Sequence, residues 1–139
     1  EKYIKLINYF QKSDLFNEKI ITNTIDMYNN GIRVIKHGDT TTIVKKTKKN
    51  IINIKNIGVR IALSLEEKIN DVPYGDTHYF KTKNRIRNSF IHSSQQFKVD
   101  ITCDKFYQNI HYQCELEFLR KPTNDEILKI IDKMNYILK

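Results

Sequence analysis

The sequence is poor in the residues that mark several protein classes. Of its 139 residues only 4 are Gly and 2 are Pro, too few for a low-complexity tail. With 40% hydrophobic and 29% charged residues, the chain is expected to fold. Its only cysteines, Cys103 and Cys114, can build neither a zinc site by themselves nor a secreted disulfide framework. Both fall among alternating apolar residues, so buried free thiols in a reducing compartment are expected. No apolar run approaches the roughly 20 residues of a membrane-spanning helix. The opening EKYIKLINYF carries charge inside its apolar stretch and does not read as a secretory signal. It also lacks Met and begins inside an expected helix, so a piece of a longer protein is expected. The length suits a single domain, residues 1–139.

Positive charge is what the chain has in excess: 24 Lys+Arg against 16 Asp+Glu, a formal charge of +8. An anionic partner such as nucleic acid, phosphate or an acidic surface is one reading. Codon usage rich in Lys, Asn and Ile is the other, and only the placement of the charges separates them.

Apolar residues at Tyr3, Ile4, Leu6, Ile7 and Phe10 have helical spacing. From about Lys19 the period changes to two. Strands are expected near 19–28, 31–37, 40–47, 50–56, 58–66, 79–92, 96–103 and 110–119, with turns at Asn29-Asn30-Gly31 and His37-Gly38-Asp39. A loop is expected at 71–76. Thr123 followed by Glu126 is a capping box opening an amphipathic terminal helix. Strands in succession with a helix at each end make an α+β pattern.

Alternation sorts the polar residues onto faces. Lys81, Lys83, Arg85 and Arg87 share one face, as do Arg60 and Glu66; Lys98, Asp100 and Thr102; and Gln113, Glu115 and Glu117. A sheet with one wet face would give this pattern. Yet a row of like charges on one strand is self-repelling unless something of opposite sign compensates. Strands curled into a barrel with polar faces inward would let cations, carboxylates, a metal ion and a polyanion neutralise one another. Carboxylates at i, i+2 offer oxygens to Mg²⁺ or Mn²⁺, and Lys and Arg clamp phosphate.

In order, G-I-R-V-I-K (31–36), R-I-A-L-S-L-E (60–66), K-T-K-N-R (81–85), K-V-D-I-T (98–102) and Y-Q-C-E-L-E (112–117) resemble the triphosphate tunnel metalloenzymes. The likeness is to the metal-dependent RNA 5′-triphosphatases of fungal and large-DNA-virus mRNA capping enzymes, over about residues 19–120. It implies an antiparallel eight-stranded β-tunnel with flanking helices, lacking its first strand in this chain. It implies removal of the RNA 5′ γ-phosphate, the first step of capping, together with hydrolysis of nucleoside triphosphates.

By position, the resemblance makes Lys83, Arg85, Glu66 and Glu115 catalytic and Arg33, Lys81, Lys98 and Asp100 substrate-binding, with a further lysine from the pair Lys45 and Lys46 that alternation does not choose between. Glu117, with Glu115 beside it, would ligate Mg²⁺ or Mn²⁺. The remaining ligands are expected upstream of residue 1, since no E-x-E precedes residue 115. Gln113 stands where the family has a first Glu; a neutral amide cannot act as a base. The implied partners are 5′-triphosphate RNA, nucleoside triphosphates and a guanylyltransferase domain in the same polypeptide, with no membrane, in an intracellular, cytoplasmic setting (a viral factory or virion for a viral protein). The alternatives are an inorganic tri- or polyphosphatase or thiamine triphosphatase of the same fold, and a non-catalytic basic RNA-binding or interaction domain.

Other residues read more plainly. His37, His78, His92 and His111 lack metal-ligand spacing. Ser89, Ser93 and Ser94 near His92 suggest a nucleophile and base, but strand neighbours point to opposite faces. Lys48 and Lys49 are expected at a solvated hairpin end.

Overall fold

β-Branched and aromatic residues dominate the chain between two helical stretches, and the fold follows that division. The computed structural model describes residues 1–54, 59–71 and 80–138. In chain order the elements are α1 (Lys2–Lys12), β1 (Phe16–Asn29), β2 (Ile32–His37), β3 (Thr40–Ile54), β4 (Val59–Ile69), β5 (Lys81–His92), β6 (Phe97–Phe106), β7 (Asn109–Phe118) and α2 (Asn124–Leu138). The strands form one sheet in the order β4-β3-β2-β1-β5-β6-β7. The loop expected at 71–76 beyond Asp71, the ends of the expected strands at 55–56, 58 and 79, His78, and the Arg60 side chain lie outside the described residues.

One expectation is corrected. The segments 40–47 and 50–56 belong to a single strand, so seven strands stand among the described residues where eight segments were read. Lys48 pairs with Ser64 and Asn50 with Leu63, leaving Lys49 as an extra residue in a bulge. The polar run Lys45–Asn50 mimics a turn in composition, but it holds no Gly or Pro to reverse the chain. Lys48 and Lys49 therefore sit inside a strand rather than at a hairpin end.

Contacts divide the chain into two units. One comprises Glu1–Thr22, Ile86–Asp104 and Ile110–Lys139; the other comprises Asn23–Arg85 and Lys105–Asn109. In the first, α1 buries Leu6 and Phe10, spaced one helical turn apart, against Phe16, Phe90, Val99 and Ile101. Phe10 lies 5.0 Å from Phe16 and 5.6 Å from Phe90, centroid to centroid. Each such side chain contributes roughly 1.5–3 kcal/mol by leaving water. Cys114 and Leu116 pack on the same cluster. Both cysteines are free, Cys103 buried and Cys114 partly so. Burial, reinforced by Glu115 and Asp100, pushes the Cys114 thiol up to about 12.

The second unit has its own core of Met27, Ile32, Val34 and Phe80, with Ile43 and Ile69 against it. The β1–β2 turn needs positive φ at Asn30 (44°) and Gly31 (80°). A Cβ on Gly31 would stand 3.0 Å from the Lys46 carbonyl oxygen, so the turn also requires glycine for space.

At α2, Thr123 Oγ1 accepts from the Glu126 N–H at 3.3 Å, and Glu126 Oε2 accepts from the Thr123 N–H at 2.9 Å. The capping box is thus formed. Thr123→Ala should lower stability by about 1 kcal/mol in urea denaturation, with an unchanged slope. A hydrogen bond from Arg120, then the Thr123 backbone, holds the Glu126 carboxyl below its ordinary pKa. Its half of the cap is therefore complete above the ordinary carboxylate range and is lost as pH falls through the lowered value.

Candidate active site

Strand pairing decides which polar side chains can meet, because directly opposed residues share a face. Tyr28 opposes Arg33, Arg33 opposes Val44, Val44 opposes Lys68, and Lys46 opposes Glu66. One face of the second unit thus carries Asp26, Tyr28, Arg33, Lys46 and Glu66. The other carries Met27, Val34, Ile43 and Lys45, with Glu67 across from Lys45. This separates the lysine pair: Lys46 lies on the Arg33 face and Lys45 on the opposite one. Lys46 Nζ reaches Glu66 Oε1 at 3.4 Å, both half-exposed.

The centre of this face is Asp26, which is 0% exposed. Its Oδ1 accepts from Thr24 Oγ1 at 2.8 Å, while Oδ2 accepts from Arg33 Nη2 at 2.8 Å and from Tyr28 Oη at 3.2 Å. Arg85 Nη1 stands 3.3 Å from the same Oδ2. One buried carboxylate therefore holds two guanidinium groups. Lys83 Nζ lies 4.8 Å from the centre of the Tyr28 ring, and Arg33 Cζ 5.6 Å. Burial pushes the Tyr28 hydroxyl up to about 12 although Arg33 and Arg85 pull it down, so it stays a donor to Asp26 at neutral pH.

The first unit repeats the device. Asp100 is 2% exposed; its Oδ1 accepts from Ser89 Oγ at 2.7 Å, and its Oδ2 faces Lys98 Nζ at 3.3 Å and Arg87 Nη1 at 3.5 Å. Lys98 Nζ also meets Glu117 Oε2 at 3.0 Å. Burial pulls the Lys98 ammonium down, but Glu117 and Asp100 outweigh it, and the pKa is raised. Lys98 is therefore a fixed cation throughout the neutral range.

β6 tests the wet-face reading directly. Val99 and Ile101 on one side and Asp100, Thr102 (1% exposed) and Asp104 (3%) on the other are all buried. A sheet with one solvated face would leave the polar row in water. Instead the polar row of β6 is buried, so it is not the wet face of an open sheet.

No protein-family model matches the sequence, and no curated protein matches it. Among solved structures, the chain is similar to the S. pombe Pct1 RNA triphosphatase, with a TM-score of 0.72 and 17% identity over 98% of this chain and 67% of that one. A second structure, of Pct1 in complex with the Spt5 CTD, gives a TM-score of 0.64 and 19% identity over 97% of this chain and 57% of that one. The chain carries the triphosphate-tunnel fold. At such identity the backbone is what the two proteins share, so the chemistry must be argued from the side chains of this chain.

Within the tunnel fold, the structure brings Arg33, Lys46, Glu66, Lys83 and Arg85 onto the second unit, and Lys98, Asp100 and Glu117 onto the first. Lys81 is exposed at the start of β5, and Glu115 is exposed on β7. Asp26 was missed by sequence reasoning. Its signal was the row Thr22, Thr24, Asp26 and Tyr28, all hydrogen-bonding residues at i, i+2 spacing on β1. Arg87 had been placed on the cation face but given no role. Among the described residues, both Arg33 and Arg87 keep a buried Nε–H without an acceptor.

The carboxylates are less complete. Among the described residues no group of three or more His, Cys, Asp or Glu could hold a metal ion, and Glu117 is engaged by Lys98. Glu115 and Glu117 alone do not fit Mg²⁺, which requires several oxygens in octahedral array. His92 and Ser94 do meet, Nδ1 to Oγ at 2.8 Å, because the strand ends at His92 and the turn brings Ser94 back. The imidazole is stacked on Phe97 at 4.4 Å, and burial lowers its pKa. No carboxylate orients it among the described residues, so the pair shapes the turn.

Proposed function

We propose that this chain binds the 5′-triphosphate end of RNA and serves its hydrolysis to a diphosphate end and inorganic phosphate. The observation that carries the reading is the pair of buried arginine Nε–H groups, on Arg33 and Arg87, that have no acceptor among the described residues of their cation clusters. An orphaned buried donor costs about 1–3 kcal/mol. A phosphate oxygen satisfies such a donor and, being charged, does so more strongly than a neutral acceptor; the tunnel fold of an RNA triphosphatase agrees with it.

In this reading Arg33 and Lys46 of the second unit hold phosphate oxygens, and Lys81, exposed at the start of β5, adds a further cation. Lys83 and Arg85 offset the charge that develops as water forms a bond to the γ-phosphorus and the bond to the bridging oxygen breaks. Asp26 and Asp100 keep the cations in place before substrate arrives, so little reorganisation remains for the reaction. Glu66 restrains Lys46 through its ion pair. Dependence on Mg²⁺ or Mn²⁺ belongs to the proposal and requires oxygen ligands beyond Glu115 and Glu117. The product, a diphosphate-ended RNA, suits a guanylyltransferase as the next enzyme of capping.

The deciding experiment is release of γ-phosphate from triphosphate-ended RNA by the full-length protein with Mg²⁺ or Mn²⁺. No release would overturn the reading. Release from inorganic tripolyphosphate or thiamine triphosphate alone would move it to another substrate. Lys46→Ala should raise KM about tenfold or more, whereas Lys45→Ala should change it less than twofold, the two lysines being on opposite faces.

A further inference from the structure

β3 is longer than the strand that covers it. β2 pairs with β3 only from His37↔Thr40 to Ile32↔Lys45, whereas β3 continues to Ile54 against β4 alone. Beyond Lys46, among the described residues, β3 and β4 form a two-stranded ribbon. A ribbon of this kind is marginal in water by itself.

Its charge is unevenly compensated. Lys45 lies across from Glu67, and Lys46 is paired with Glu66. Lys48 faces Ser64, and Lys49, the extra residue of the bulge, faces nothing across the ladder. Neither has an acidic partner among the described residues, and both are exposed. Lys48 shares the face of Lys46 and Arg33, two residues (about 7 Å) beyond Lys46 along the strand. Exposed Ile51, across from Ala62, follows on the same face, while exposed Ile52 and Leu65 lie on the other. A row thus runs along one face of one unit, from Arg33 and Lys46 through the uncompensated Lys48, with Lys49 in the bulge beside it, to Ile51.

From this we infer that the ribbon, through Lys48 and Lys49, is the track for the RNA chain downstream of its 5′ end. The inference rests on the proposed function and extends it to the body of the substrate. The lysines meet backbone phosphates, and Ile51 offers apolar surface to sugars and bases. Such contacts are sequence-independent, as a substrate of any sequence requires. Lysines and a bulge also guard bare strand edges against self-association. That role predicts aggregation on their removal, with RNA affinity unchanged.

The test compares the protein with Lys48→Glu/Lys49→Glu and Lys48→Ala/Lys49→Ala variants. Binding of a 5′-triphosphate 20-nucleotide single-stranded RNA is followed by fluorescence anisotropy across salt concentrations, and binding of inorganic tripolyphosphate by calorimetry. The Ala pair should reduce the slope of log K against log[salt] by about 1.4, two contacts at about 0.7 each. The Glu pair should weaken RNA binding on the order of tenfold or more at 0.1 M salt, with tripolyphosphate affinity unchanged. An unchanged RNA affinity and slope overturns the track. So does an equal loss for RNA and tripolyphosphate, which marks a general electrostatic effect. Should the protein bind RNA with the expected change in slope but not bind tripolyphosphate, the track stands and the triphosphatase reading falls.

Discussion

Asp26→Ala should cost about 3–5 kcal/mol of folding stability, the largest effect expected of any single polar substitution in this chain. The carboxylate is fully buried and serves Arg33, Arg85, Thr24 and Tyr28 together. Its removal leaves two largely desolvated guanidinium groups, with side chains 15% exposed for Arg33 and 8% for Arg85, without the carboxylate they share. That is worse than losing the attraction alone, because each cation has already given up hydration that the carboxylate replaced. Asp26→Asn keeps the volume and one acceptor but removes the charge, so it should fall between wild type and alanine. Urea denaturation with an unchanged slope is the measurement. A loss under about 1 kcal/mol for the alanine variant would show that Arg33 and Arg85 find other acceptors, and that Asp26 does not organise the cluster.

Arg85→Ala is expected to weaken binding of inorganic tripolyphosphate by about 10- to 100-fold, measured by calorimetry. A hydrogen bond between two charged groups in a buried setting is worth about 1.5–3 kcal/mol, which is that range of affinity. Arg85 is nearly buried yet belongs to a strand whose earlier cations, Lys81 and Lys83, are progressively more open. It therefore stands where the cation row passes from solvent to interior. Arg85→Lys should recover only part of the loss. A single ammonium cannot span Asp26 and a phosphate oxygen as a planar guanidinium does. An unchanged affinity in a variant that melts normally would remove Arg85 from the site and leave it a structural partner of Asp26.

The two substitutions also separate scaffold from site. Asp26→Ala is expected to act chiefly on folding, and Arg85→Ala chiefly on anion binding. Asp100 and Lys98 repeat this division in the other unit, with Ser89 in the place that Thr24 holds beside Asp26.

Much of this was legible in the residues. The helix at 2–12, the turns at Asn30-Gly31 and Gly38, the capping box at Thr123 and the cation face of β5 follow from spacing and turn chemistry within a few residues. What was not legible depended on partners distant in sequence. Lys45 and Lys46 are indistinguishable until β3 is registered against β2 and β4. The bulge at Lys49 looks like a turn until β4 is seen to continue past it. Asp26 looks like one more polar residue of a mixed strand until Arg33 and Arg85 arrive from two other strands.

By itself, the sequence determined which side chains share a face on each strand, because alternation is a property of the backbone with a period of two residues. It also determined where the chain turns and where helices begin. Only the tertiary structure decided which polar faces are enclosed. The row Lys98, Asp100, Thr102 reads the same whether it meets water or protein, and its burial is set by strands far away in the chain. The physical reason is one of range: periodicity is local, whereas register, desolvation and the pairing of charges are set by non-local contacts.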